Sequence, residues 1–220
     1  MSDQLLDIVQ FDDSNPEPRC PCILLLDVSG SMSGEPIKQL NAGLDAFQQS
    51  LQSDDLAAMR VEVAILTFGN GVALAQDFIT AYQFEAKPLR PSGNTPMGEA
   101  INQALDQLQA RKAIYRQHGI PYFRPWIFMI TDGAPTDEWR SAAQRVQDEE
   151  ARKSVAFFAV GVQRADMKKL AQIAVRQPLQ LKGLNFRDMF VWLSQSLTSV
   201  SHSQIGEQVP LKPPSGWSVV

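Results

Sequence analysis

The 220-residue sequence is poor in several features, and each shortage excludes something. It has two cysteines, Cys20 and Cys22, and two histidines, His118 and His202, which lie far apart along the chain. Two thiolates without a neighbouring His are too few for a tetrahedral zinc site. Residues one apart on an extended segment point to opposite faces, so the pair in "RCPC" is badly placed for an internal disulfide. They read as reduced thiols in or beside a strand, with a redox or metal role as the alternative. There is no basic excess. The formal net charge is −4 and the pI about 5.2, so nucleic acid, which needs a basic face, is not expected as the main partner. No stretch approaches the roughly 20 apolar residues of a membrane span. The opening "MSDQLLDIVQFDDSNPEP" lacks a basic region and a long apolar run, so it does not read as a signal peptide. These missing signals lead to the expectation of a cytoplasmic protein with no membrane contact. Catalytic signatures are missing too. There is no G-x-S-x-G and no P-loop G-x-x-x-x-G-K-[ST], and neither histidine suits a triad; His118 reads as a surface residue.

What is present is an ordinary globular balance, 44% hydrophobic and 20% charged residues, in a chain whose length suits one large domain, or one domain with extra arms. Residues 1–21 read as an N-terminal arm. In it "LLDIV" forms a short strand or a turn of helix, and "DDSNPEP" forms a loop. "CILLLD" (22–27) is a near-continuous apolar run, the mark of a strand buried on both faces. Ile37, Leu40, Leu44, Phe47 and Leu51 then recur at helical spacing, with Pro36 in the first turn. "RVEVAILTF" (60–68) and "VALAQDFI" (72–79) are strand-like and joined by "GNG", a hairpin signal that makes the second an antiparallel edge strand. Met97, Ile101, Leu105 and Leu108 begin another helix. "PWIFMIT" (125–131) and "SVAFFAVGV" (154–162) are strands, separated by a polar helix over about 137–153. A short helix (165–174), a short last strand within 178–184 and a final helix marked by Phe186, Phe190, Leu193, Leu197 and Val200 complete the pattern. Alternating strands and helices predict an α/β fold, doubly wound and Rossmann-like. Its central sheet is mostly parallel, with one antiparallel edge strand and helices on both faces. The domain is expected over 22–203. The Pro-rich tail, 204–220, reads as disordered, with an extended segment pinned by Trp217 as the alternative.

In open parallel sheets ligands bind beyond the carboxyl ends of the strands. Asp27, Ser29 and Ser31 directly follow one buried strand, Asp132 directly follows another, and Thr95 lies in the "SGNTP" loop between them. Two carboxylates and three hydroxyls without Cys or His suit a hard cation, Mg²⁺ or Mn²⁺, and not zinc. Neutral hydroxyls in direct contact, with carboxylates behind them, would leave such an ion able to accept a further acidic oxygen. Gly30, Gly34 and Gly133 permit the tight turns involved.

"DVSGSM" at 27–32 resembles the D-x-S-x-S motif of the von Willebrand factor type A (VWA) domain. Thr95 in "GNTP" and Asp132 in "ITDG" match the other two parts of that family's metal-ion-dependent adhesion site. The resemblance spans about residues 22–200. "LLLDVSGSMSGEPI" and "TDGAPTDEW" are most similar to bacterial cytoplasmic VWA proteins of the tellurium-resistance (TerY-like) type. Those belong to stress-response operons, some beside a kinase-like protein and a PP2C-type phosphatase. The resemblance implies that Ser29 and Ser31 bind the metal directly, and Thr95 in the ligand-competent state. It implies that Asp27 and Asp132 act largely through water, and that the ligand is an Asp or Glu of a partner protein. The expectation is therefore a Mg²⁺-dependent adaptor and not an enzyme.

Plainer roles stand beside these. Asp27 or Ser33 could cap a helix, and so could Thr95. Asp137 and Glu138 suit the first turn of a helix. Trp139 and Arg140 are candidates for the rim that a partner touches, since both types are frequent at binding hot spots. The alternative function is a Mg²⁺-dependent phosphohydrolase with Asp27 as nucleophile. That chemistry wants a second acid two residues on, where this chain has Ser29.

Overall fold

The structure, a computed structural model, describes residues 14–214 and 216–219. The expectation for "LLDIV" lies outside the described residues. The aliphatic run forms β1 (Cys20–Asp27), every residue of which is buried. Leu24 and Leu26 enter one core with Leu40, Leu44 and Phe47 of α1 (Glu35–Gln52) and Phe190 and Leu193 of α6 (Phe186–Ser201). Ile23 and Leu25 enter a second core with Ile101 and Leu105 of α3 (Met97–Gln117) and Val146 of α4 (Arg140–Ala151). A strand with a core on each side needs apolar residues at every position, which is why no alternation is visible.

The remaining elements are α2 (Asp55–Arg60), β2 (Val61–Gly69), β3 (Gly71–Thr80), β4 (Trp126–Thr131), β5 (Ala156–Gly161), α5 (Met167–Ile173), β6 (Leu179–Leu181) and β7 (Ser218–Val219). They make a seven-stranded sheet in the order β3-β2-β1-β4-β5-β6-β7. β1 pairs in parallel with β2 and β4, β4 with β5, and β5 with β6. β3 pairs antiparallel with β2, as the "GNG" hairpin predicts.

The structure departs from the sequence reading in three places. The sheet has an antiparallel strand at each edge, since β7 pairs with β6. The tail is therefore ordered at its end, and the expectation of disorder there is corrected: Trp217 is buried, packs on Trp192 with ring centroids 5.3 Å apart, and its carbonyl accepts from the Lys182 N–H at 2.7 Å. The burial of one large indole outweighs the lack of periodicity around it. Second, α2 is an additional helix, signalled only by its cap: the Asp54 carboxylate accepts from the Ala57 N–H at 2.8 Å. Third, the polar helix starts at Arg140 and not near 137.

The chain leaves β1 for β2 and β3 on one side, then returns to lay β4, β5 and β6 on the other. The sheet reverses winding between β1 and β4, so a crevice opens at their carboxyl ends.

Candidate metal centre

Asp27 ends β1, and Asp132 follows Thr131, the last residue of β4, so the two carboxylates flank that crevice. Asp27 Oδ1 accepts from its own loop, the Ser29 N–H, at 2.8 Å. Its Oδ2 accepts from the Thr131 hydroxyl at 2.6 Å. A short 3-10 turn, Gly30–Met32, then folds the loop back so that the Ser29 and Ser31 hydroxyls lie 2.9 Å apart. Ser31 Oγ donates to Asp132 Oδ1 at 2.7 Å. Four of the five residues expected at the site are thus joined by hydrogen bonds across the crevice, Asp27 through the Ser29 backbone and the others through hydroxyl and carboxylate oxygens.

Thr95 arrives from another direction. Three loops are fastened by backbone bonds: Val28 N–H to the Phe68 carbonyl (2.8 Å), Ser92 N–H to Val28 (2.6 Å), Gly30 N–H to Gly93 (3.0 Å) and Asn94 N–H to Gly69 (3.0 Å). Gly93 has φ +76°, and a Cβ there would lie 2.6 Å from the Gly69 backbone, so only glycine allows this approach. Thr95 follows, with its hydroxyl facing Gly133: an ideal Cβ on Gly133 would sit 3.3 Å from Thr95 Oγ1. The fifth residue therefore lies beside Asp132.

The plainer roles can now be compared. Ser33 does not cap α1, whose N-cap is Gly34 with no side-chain cap bond. Thr95 does not cap α3 with its side chain. The N–H groups of Gly98 and Glu99 instead go to the two carboxylate oxygens of Asp137, at 3.0 and 2.8 Å. Asp137 was expected in the first turn of its own helix and serves a different one. Glu138 is not in the first turn of α4 either: it precedes the N-cap, Trp139, and its carboxylate accepts from the Arg140 N–H at 2.6 Å. The rim assignment of Trp139 is corrected: the indole is 8% exposed and belongs to the second core. Arg140 lies over that ring, its guanidinium carbon 5.2 Å from the centroid, and stays exposed.

The electrostatics favour a cation. Asp27 and Asp132 are both buried, and neither has a basic partner among the described residues. Burial pushes the Asp27 carboxyl above its ordinary 3.8; the bonds from Thr131 and Ser29 draw it back, and the Asp132 charge pushes it up again. Among the described residues no cluster of three or more His, Cys, Asp or Glu forms a metal site. Any ion held here would rest on hydroxyls as well as carboxylates, which fits a hard divalent cation. Both cysteines are buried; burial, with Glu62's charge second, pushes the Cys20 thiol up to about 12, so it is unreactive. Among the described residues no helix is long and apolar enough to cross a membrane.

Sequence reasoning missed Thr131, Thr136 and Asp137 as parts of the site. Thr131 was legible as the hydroxyl next to Asp132. The other two act on residues 38 to 41 positions away, and no local pattern announces that.

The model of the von Willebrand factor type A domain matches residues 22–188. No curated protein matches the chain in sequence. In three dimensions the chain is similar to the pilus adhesin SpaC from Lactobacillus rhamnosus GG in its open conformation. The TM-score is 0.68 at 15% identity, over 84% of this chain and 31% of that one. It is similar to the vWF domain of the type V pili tip protein Mfa5 from Porphyromonas gingivalis, with TM-score 0.66 and 11% identity, over 88% and 99% of the two chains. It is also similar to proximal thread matrix protein 1 from the mussel byssus, in a structure with a zinc-occupied MIDAS motif. There the TM-score is 0.56 at 14% identity, over 83% of this chain and 48% of that one. The chain thus spans less than half of the mussel protein and under a third of SpaC. At these identities the likeness is one of fold.

Proposed function

The chain belongs to the von Willebrand factor type A domain family, and from that premise we propose that it is a Mg²⁺-dependent protein-binding module. Ser29, Ser31 and Thr95 would hold the ion directly. Asp27 and Asp132 would hold it through water, and an Asp or Glu of a partner protein would complete its coordination. The ion supplies one strong electrostatic contact; the chain's own residues position it and keep the carboxylates apart from direct ligation.

The observation that carries this reading is the 2.9 Å between the Ser29 and Ser31 hydroxyls. Adjacent ligands of an octahedral ion bound at about 2.1 Å stand about 3 Å apart, whereas an ion bound at about 2.4 Å needs about 3.4 Å. The spacing, which is also that of an ordinary hydroxyl hydrogen bond, is compatible with such an ion, and the set of hydroxyls and carboxylates suits Mg²⁺, with Mn²⁺ close behind. The zinc-occupied MIDAS motif of the mussel protein supports divalent binding on this fold. A binding role is favoured over a phosphohydrolase by Asp27 itself: both its oxygens accept hydrogen bonds from the protein, which is a poor state for a nucleophile.

The likeness of "LLLDVSGSMSGEPI" and "TDGAPTDEW" to TerY-like proteins supports a finer reading. On it, the protein is a bacterial cytoplasmic adaptor in a tellurium-resistance or stress-response system, with a kinase-like or PP2C-type phosphatase protein as partner. The test is affinity capture from native lysate with wild type in Mg²⁺, wild type in EDTA, and Asp27→Ala in Mg²⁺. A protein retained only in the first arm is expected, and its identity decides the system. Equal retention in all three arms would rule out docking through the metal. Metal-dependent hydrolysis of a phosphate ester, lost in Asp27→Asn, would favour the enzyme instead.

A further inference from the structure

Helix α3 begins two residues after Thr95, and its first N–H groups need acceptors from outside the helix. The N-cap residue is Pro96, whose side chain has no acceptor to offer them. Here the acceptor comes from a different loop, since Asp137 takes the N–H groups of both Gly98 and Glu99. The neighbouring Thr136 grips the backbone of Thr95 from both sides. Thr136 Oγ1 accepts from the Thr95 N–H at 3.2 Å, and the Thr136 N–H donates to the Thr95 carbonyl at 2.9 Å. The contact is close along its length: a Cβ on Gly98 would lie 2.1 Å from the Glu138 carbonyl oxygen. The loop that carries Asp132 and the loop that carries Thr95 are therefore fastened into one unit, four and five residues beyond Asp132.

Resting on the metal reading above, we infer that Thr136 and Asp137 are positioning residues of the metal centre, fixing Thr95 and the start of α3 against the loop of Asp132. The Thr95 hydroxyl has no hydrogen-bond partner among the described residues. It faces Gly133, next to Asp132. Asp137 holds the start of α3 to the loop of Asp132, and Thr136, bonded to the Thr95 backbone on both sides, sets where that oxygen stands. The two sides of the crevice then keep their spacing without the ion, so less ordering is needed when it binds.

The test is Mg²⁺ titration calorimetry on wild type, Thr136→Val, Thr95→Ala and the double variant, with the metal-free Tm of each measured in EDTA. Thr136→Val keeps the side chain's volume and removes the acceptor. It is expected to weaken Mg²⁺ binding about 10- to 100-fold, the range for partners that orient metal ligands. Thr136→Ser is expected to restore it. In the Thr95→Ala background the same substitution should cause no further loss, because it acts only through Thr95. A merely structural role would lower the metal-free Tm and leave the losses additive. Should Thr136→Val not fold, Asp137→Asn enters the same cycle, with the same outcome expected. A wild type that takes up no Mg²⁺ overturns the metal reading and this inference together. A wild type that binds, beside a variant that binds equally well or losses that add, overturns this inference alone.

Discussion

Burial holds the Asp27 pKa above its ordinary value, so ionising this carboxyl costs the metal-free fold stability. A raised folded pKa means that the native state binds the proton more tightly than the unfolded chain. Stability therefore falls as pH rises from 3.8 through the raised value, and the full deficit is present above it. A cation offsets the deficit by favouring the charged form. Two outcomes are expected by calorimetry at pH 7. Mg²⁺ at a hundred times its Kd should stabilise the wild type by about 2.7 kcal/mol, a rise in Tm of roughly 5–10 °C for a chain of this size. Metal-free Asp27→Asn should melt at or above the wild-type temperature and show no response to Mg²⁺. An Asn variant that melts well below the wild type in EDTA would mean that the carboxylate's hydrogen bonds outweigh its desolvation.

At the scale of elements, the edges of the sheet are finished in two ways. β3 is tied to β2 by a tight hairpin at Asn70, a local arrangement. β6 is three residues long and is covered by the tail, which returns past α6. That return is held by the Trp192 indole N–H donating to the Lys212 carbonyl at 2.8 Å and by Trp217 packed on Trp192. Trp217 is 1% exposed, although its own N–H finds no acceptor among the described residues. Truncating a buried Trp costs about 3–5 kcal/mol, and loss of that orphaned group returns part of it. Trp217→Ala is therefore expected to lower stability by about 3 kcal/mol in urea unfolding, and to increase hydrogen exchange along β6 and the outer face of α6. An unchanged midpoint would show that the tail contributes nothing to the fold.

Across the whole molecule, the polar groups are divided between the two ends of the sheet. The carboxyl ends hold the candidate metal centre, Asp27, Ser29, Ser31 and Asp132. The amino ends hold a buried ionic cluster around Glu62: its Oε1 meets Arg19 Nε at 3.2 Å, its Oε2 meets Arg111 Nη2 at 2.8 Å, and the Tyr115 hydroxyl donates to it. Glu62 is in register with Pro21, six residues before Asp27, so the two sites stand about 20 Å apart along the strands. Removing one partner of a buried ionic group leaves the others uncompensated, at a cost of about 3–5 kcal/mol. Glu62→Ala should destabilise by that amount while the folded protein binds Mg²⁺ with wild-type affinity, because nothing in the cluster reaches the crevice. A loss of Mg²⁺ affinity in parallel with stability would show that the two ends are coupled through the strands.

The sequence alone determined whatever rests on local pattern. The unbroken apolar run of β1 required a sheet covered on both faces, and the period of α1 and α3 required helices to cover it. The positions of Asp27, Ser29, Ser31 and Asp132 at strand ends followed from those strands, because the carboxyl ends of parallel strands share one side of a sheet. Contacts between distant segments were decided only by the tertiary structure. Asp137 looks like a residue for its own helix and caps α3. Trp139 looks like a rim residue and fills a core. Trp217 sits in a tail without periodicity and is buried by a helix some twenty residues before it. Each depends on which loop lies against which, and that is settled by close backbone approaches such as Gly93 on Gly69 and Gly98 on Glu138, which no sequence period encodes.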